Sequence, residues 1–154
     1  MTAYEPGPIR PESAPIAPRR AIVLAGRRSS DDPLARAGGA AHRALLEIEG
    51  EPMLVRVVER LLGQSGIESV LINIDAPELL DAIPRLVELR RRGAIEWMKS
   101  TDSPSQSVIE SLERAGLATE PVLVTTADHA LLDDEILDGF FSRSAESDAD
   151  LTLG

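Results

Sequence analysis

Ala21-Ile22-Val23-Leu24-Ala25-Gly26 decides the fold: it is an unbroken apolar run that stops on a glycine. Such a short, continuous run marks a strand buried on both faces, as parallel sheets require. A glycine at its end lets a ligand come close to the backbone. Two further runs repeat the pattern, Val70-Leu71-Ile72-Asn73-Ile74 and Pro121-Val122-Leu123-Val124-Thr125, and a short strand is expected over residues 94–98. Between the strands the apolar spacing turns helical. Met53, Leu54, Val57, Val58, Leu61 and Leu62 form one stripe, with Pro52 at the first helical position and Gly63 or Gly66 ending the helix. Residues 77–91 predict a helix interrupted near Pro84, and the Arg90-Arg91-Arg92 run reads as its solvated end. Ser107 and Glu110 make a capping-box pattern for a helix whose face carries Val108, Leu112 and Ala115. Ile136, Leu137, Phe140 and Phe141 share the face of a last helix, while residues 27–41 are too polar and irregular to predict one. Alternating strand and helix predict an α/β domain, a parallel sheet covered on both faces.

The flanks differ from this centre. Residues 1–19 hold five of the eleven prolines and no apolar period, which predicts a disordered leader ahead of one domain over residues 20–154. The leader lacks the basic start and apolar stretch of a signal peptide. No segment reaches the ~20 apolar residues of a membrane span, so a cytoplasmic protein with no membrane partner is expected. Residues 149–153 read as the start of another strand, so the chain is expected to be the amino-terminal portion of a larger fold, incomplete at its carboxyl end. Cysteine is absent, which excludes disulfides, thiol catalysis and cysteine-ligated metals. A net charge of −10 and 3% aromatic content argue against nucleic acid as a partner.

Open α/β sheets bind ligands at the carboxyl ends of their strands, and three segments fall there. Leu24-Ala25-Gly26-Arg27-Arg28 offers a glycine and two arginines able to grip phosphate oxygens, or is simply an exposed basic turn. It has neither the Gly-Lys-Ser/Thr ending of a Walker loop nor Gly-x-Gly-x-x-Gly. Ala41-His42-Arg43-Ala44-Leu45-Leu46 places Arg43 as a fixed charge over a phosphoryl group, or as a surface residue beside a short strand. Thr126-Ala127-Asp128 puts a carboxylate just past a buried strand, where it can hold Mg²⁺ at a phosphate or merely cap a turn.

Together with Gly50-Glu51-Pro52-Met53-Leu54 and Ser107-Val108, these segments resemble the nucleotidyltransferases of the MobA-like branch, related to molybdenum-cofactor guanylyl- and cytidylyltransferases. The resemblance runs from about residue 20 to residue 154. It implies a three-layer, Rossmann-like, mainly parallel mixed sheet of the nucleotide-diphospho-sugar transferase type. It also implies transfer of a nucleoside monophosphate from a nucleoside triphosphate to a small phosphorylated acceptor, with Mg²⁺ as cofactor and pyrophosphate leaving. In that scheme Leu24, Ala25 and Gly26 meet the nucleotide through their backbone. Arg27, Arg28 and Arg43 neutralise phosphate charge, Arg27 and Arg43 as catalytic groups, Ser107 sits near the base or ribose, and Asp128 holds the metal. Two positions depart from the family pattern: Arg27 stands where a second glycine is usual and Arg43 where lysine is. Those departures keep open a non-catalytic, nucleotide-binding or regulatory domain on the same fold. A sugar-transferring relative would show Asp-x-Asp after the strand, where this chain has Asp128-His129-Ala130.

Overall fold

The computed structural model describes residues 17–27, 31–117 and 119–154. In chain order the elements are β1 (Arg20–Leu24), α1 (Pro33–Ala37), a 3₁₀ turn (Arg43–Leu45), β2 (Glu47–Ile48), β3 (Glu51–Pro52), α2 (Met53–Gly63) and β4 (Ser69–Ile74). A second 3₁₀ turn (Pro77–Ala82), α3 (Pro84–Arg91), β5 (Ile95–Lys99), α4 (Pro104–Ala115), β6 (Val122–Thr126) and α5 (Asp134–Ala145) follow. β1, β4, β5 and β6 form one all-parallel sheet in the order β5-β4-β1-β6. Among the described residues, antiparallel pairing is confined to the separate β2-β3 ribbon. The chain thus winds outward from β1 through β4 to β5, then crosses back to place β6 on β1's other side. β1 and β6 flank the point where the winding reverses, and their carboxyl ends define the crevice such sheets use for ligands.

Alternation along the strands divides the sheet into two faces. Ala21, Val23, Val70, Ile72, Ile74, Ile95, Trp97 and Leu123 pack into one aliphatic core with Leu54, Val58 and Leu61 of α2, Leu86 and Leu89 of α3, and Leu137 of α5. The opposite face receives α4, which lies against β1 and β4. There Asn73, fully buried in β4, donates through Nδ2 to Ser111 Oγ (2.9 Å) and the Ser107 carbonyl (3.3 Å).

Several expectations change at this level. α4 begins at Pro104 with Ser103 as its cap, accepting from Gln106 N–H; Ser107 lies inside the helix on the buried side, so no capping box forms there. Proline already occupies the first turn, where its missing N–H costs nothing. Pro52 caps α2 from outside rather than opening it. The interrupted helix over 77–91 is a 3₁₀ turn followed by α3, parted at Ile83 because Pro84 starts the second piece. The irregular stretch after Arg27 contains the short α1, capped by Asp32. β6 is apolar but not enclosed: Val124 is 41% exposed, and α4 lies chiefly against β1 and β4. On α5 only Leu137 is buried, with Phe140 and Phe141 half-covered and Ile136 exposed. Residues 149–153 form no strand. Arg90, Arg91 and Arg92 are exposed at the end of α3 as expected, and the Arg90 guanidinium also lies 4.0 Å from the Trp97 ring centre. The β2-β3 ribbon, absent from the sequence-based expectation, turns through Glu49 (φ 55°) and Gly50 (φ 81°). Two consecutive left-handed residues are what a two-residue hairpin turn demands, and they explain the glycine in Gly50-Glu51-Pro52.

Candidate functional site

A cleft of about 890 Å³ opens at the carboxyl ends of β1, β4, β5 and β6. It is bordered by the segment after β1, α1, the first 3₁₀ turn, the loop from β5 to α4, and the segment after β6. The structure therefore brings Leu24, Ala25, Gly26, Arg27, Arg43, Ser107 and Asp128 to one place. Arg28 lies outside the described residues.

The backbone after β1 is largely committed to the sheet. Leu24's carbonyl accepts from Ala127 N–H (2.9 Å) and Ala25's N–H donates to Asn73's carbonyl (2.7 Å). Gly26 follows, and a Cβ built there would stand 3.1 Å from Ser100 Oγ. A side chain at this position would crowd Ser100, so glycine leaves the loops after β1 and β5 room to lie close together.

Arg43 and Asp128 face each other across the crevice. Arg43 comes from the first 3₁₀ turn and Asp128 from the segment after β6, and a guanidinium nitrogen lies 3.2 Å from Asp128 Oδ2. Both side chains are 44% exposed. A hydrogen bond from Thr126 Oγ1 holds the Asp128 carboxyl below the usual carboxylate range; partial burial opposes this, and the Arg43 charge assists it. Asp128 is thus an ionised, solvent-reachable carboxylate beside a cation.

Arg27 is tied elsewhere. Its main-chain N–H donates to Asp75 Oδ1 (3.0 Å) and its Nε–H to Asp75 Oδ2 (2.7 Å). Asp75 Oδ1 also accepts from Nε2 of His42 (2.8 Å), whose ring is buried. His42 Nδ1 accepts from Ala44 N–H (3.1 Å), so the ring proton sits on Nε2. Burial alone would raise the Asp75 carboxyl, but the bonds from His42 and Arg27 outweigh it and leave it below the usual range. Sequence reasoning passes over Asp75. Yet Asp75 directly follows β4, and a carboxylate just past a buried strand is the criterion that singles out Asp128.

Ser107 lies at the cleft floor, 2% exposed. Its Oγ accepts from Thr101 N–H (2.9 Å) and lies 3.0 Å from Thr101 Oγ1, fastening the loop before α4.

Among the described residues no group of three His, Asp or Glu side chains converges as a self-sufficient metal site. One reachable carboxylate does suit Mg²⁺, which keeps waters and takes substrate phosphate oxygens as its remaining ligands. The cleft's described charged residues are Arg27 and Arg43 against Asp31, Asp32, Asp102 and Asp128.

Residues 21–153 match the family model of the MobA-like NTP transferase domain. No curated protein matches the chain. Among solved structures, a hypothetical transferase from Thermus thermophilus superposes with a TM-score of 0.58 at 23% identity, over 82% of this chain and 47% of that one. 4-diphosphocytidyl-2C-methyl-D-erythritol synthase from Anaerococcus prevotii gives 0.58 at 16% identity, over 87% and 56%. CMP:2-keto-3-deoxy-manno-octonic acid synthetase, solved with CTP, gives 0.56 at 18%, over 85% and 49%. At such identities the likeness is one of fold. The chain spans about half the length of these structures.

Proposed function

The chain belongs to the MobA-like NTP transferase domain family, and from that premise we propose that its cleft binds a magnesium-complexed nucleoside triphosphate for nucleotidyl transfer to a small phosphorylated acceptor. In that reaction an acceptor phosphate oxygen forms a bond to the α-phosphorus. The bond from that phosphorus to the bridging oxygen of the β-phosphate breaks, and pyrophosphate leaves. The observation that carries the reading is the Arg43–Asp128 pair at 3.2 Å, opposite charges set on either side of the β1/β6 crevice. Arg43 is placed to exchange its carboxylate partner for phosphate oxygens, in the fork geometry that guanidinium groups favour. Asp128, released by that exchange, is the residue that would hold the metal. Mg²⁺ supplies Lewis-acid charge at the phosphates when bound. The chain's own residues supply alignment and further charge, and such transfers ask for little else. The reading carries with it a cytoplasmic location, where nucleoside triphosphates are abundant.

One observation favours the non-catalytic alternative: both cleft arginines already have carboxylate partners, Arg27 with Asp75 and Arg43 with Asp128. Magnesium-dependent pyrophosphate release with each of the four ribonucleoside triphosphates separates catalysis from binding alone.

The binding reading is tested by titrating triphosphates into wild type and Asp128→Asn, with and without Mg²⁺, beside melting curves. Asn is nearly isosteric and caps turns about as well as Asp, so the fold should persist while the magnesium-dependent part of the affinity falls. Equal magnesium dependence in the two proteins would return Asp128 to a turn-capping role and remove the metal from the reading.

A further inference from the structure

Three groups from two separate segments converge on one side chain that does not itself line the cleft. Asp75 binds the Arg27 main chain, the Arg27 side chain and His42, and His42 passes the connection to Ala44, the neighbour of Arg43. Neither arginine-bearing loop has long regular structure to hold it. Arg27 follows β1 in an extended segment, and Arg43 opens a 3₁₀ turn of three residues. β4, by contrast, runs between two partner strands and is buried along nearly its whole length. A carboxylate rooted at the end of that strand is therefore a rigid post to which both loops are tied.

From this geometry we infer that Asp75 is a positioning residue of the nucleotide site. It sets Arg27 directly and Arg43 through His42, so that both guanidinium groups meet the polyphosphate of the ligand. The inference rests on the proposed nucleotide reading and adds that the tri- over monophosphate preference depends on a residue that touches no ligand. Three donors on one carboxylate leave it little freedom to swing away. The cost of ordering two cationic loops is then met during folding rather than when the ligand binds.

The chemistry of the two oxygens separates the arms of this device. Asp75→Asn, with its carbonyl in the Oδ1 position, still accepts from Arg27 N–H and His42 Nε2–H. It presents an amide N–H₂ to Arg27 Nε–H in place of an acceptor. Asp75→Ala loses every bond.

The test measures affinity of the 154-residue chain for a nucleoside triphosphate and the matching monophosphate, both with Mg²⁺, for wild type, Asp75→Ala and Asp75→Asn, with a melting curve for each. Positioning acts on the phosphate end of the ligand. Asp75→Ala should therefore lose about tenfold of the tri- over monophosphate preference, the weight of about one charge-assisted hydrogen bond, while monophosphate affinity changes little. Asp75→Asn should lose a smaller part and remain folded. An equal fall in both affinities marks a merely structural residue and overturns the inference. Unchanged preference in Asp75→Asn, should the alanine variant not fold, overturns it as well. If wild type itself shows no preference for triphosphate, the nucleotide reading fails and this inference with it, an outcome recognised in the wild type rather than in a variant.

Discussion

The two faces of the sheet are built on different principles. On the face of α2, α3 and α5, side chains such as Leu54, Val58, Leu61 and Ile72 are wholly buried and touch one another. On the face of α4, Asn73, Ser107 and Ser111 join through hydrogen bonds beside the buried Ile22 and Leu71, and Val124 of β6 is 41% exposed. The first face is held by apolar packing, and the second sets polar groups among its buried apolar side chains, where they shape the cleft floor. One of those groups, Asn73 Oδ1, is buried with no hydrogen-bond partner among the described residues. Such an atom lowers stability wherever it lies, and here it lies in a residue that lines the cleft.

The contrast is tested most strongly on the packed face. Ile72→Ala removes a fully buried side chain from the central sheet and should cost about 3 kcal/mol, a fall in melting temperature of about 10 °C for a chain of this size. A cost under about 1 kcal/mol would break the contrast outright. Ser111→Ala removes the acceptor for Asn73 Nδ2, leaving the longer bond to the Ser107 carbonyl. Its cost should be about 1 kcal/mol, read from urea unfolding midpoints at unchanged slope. A loss as large as that of Ile72→Ala would mean that the polar seam is as important to the fold as the aliphatic core. The smallest effect is expected at Val124→Thr, on the uncovered part of the same face. It should stay within about 0.5 kcal/mol of wild type in the same urea experiment. A larger destabilisation would show that something covers β6 in solution.

The same contrast explains how much could be read from the sequence. The strands of the sheet and α2 are legible because their signal is local: a short apolar run, or a stripe at helical spacing. Asp128 is legible because it follows such a run. Asp75 carries the same signal, but its importance lies in partners 33 and 48 positions away along the chain, His42 and Arg27. No local pattern reports such pairings. Ser107 fails for a related reason. Serine three residues before glutamate suits a cap, but Pro104 moves the helix start earlier and turns Ser107 inward. Ile136 and Val124 are apolar and exposed. Periodicity counts apolar residues without knowing whether a neighbouring element reaches them. The β2-β3 ribbon, with two residues in each strand, is shorter than any alternation a sequence can display.

The strand order also bears on how the molecule comes together in time. β1 is the first strand among the described residues and occupies an interior place, between β4 and β6. Its pairing with β4 closes a loop of roughly fifty residues, whereas its pairing with β6 closes one of roughly a hundred. On a growing polypeptide, β1, β4 and β5 can associate while β6 is still unmade. That partial sheet already contains Asp75, His42 and both arginine loops, but Arg43 has no counterpart across the crevice until β6 delivers Asp128. The arginine side of the cleft is thus assembled before the Asp128 side, and the cleft is completed by the pairing most distant along the chain.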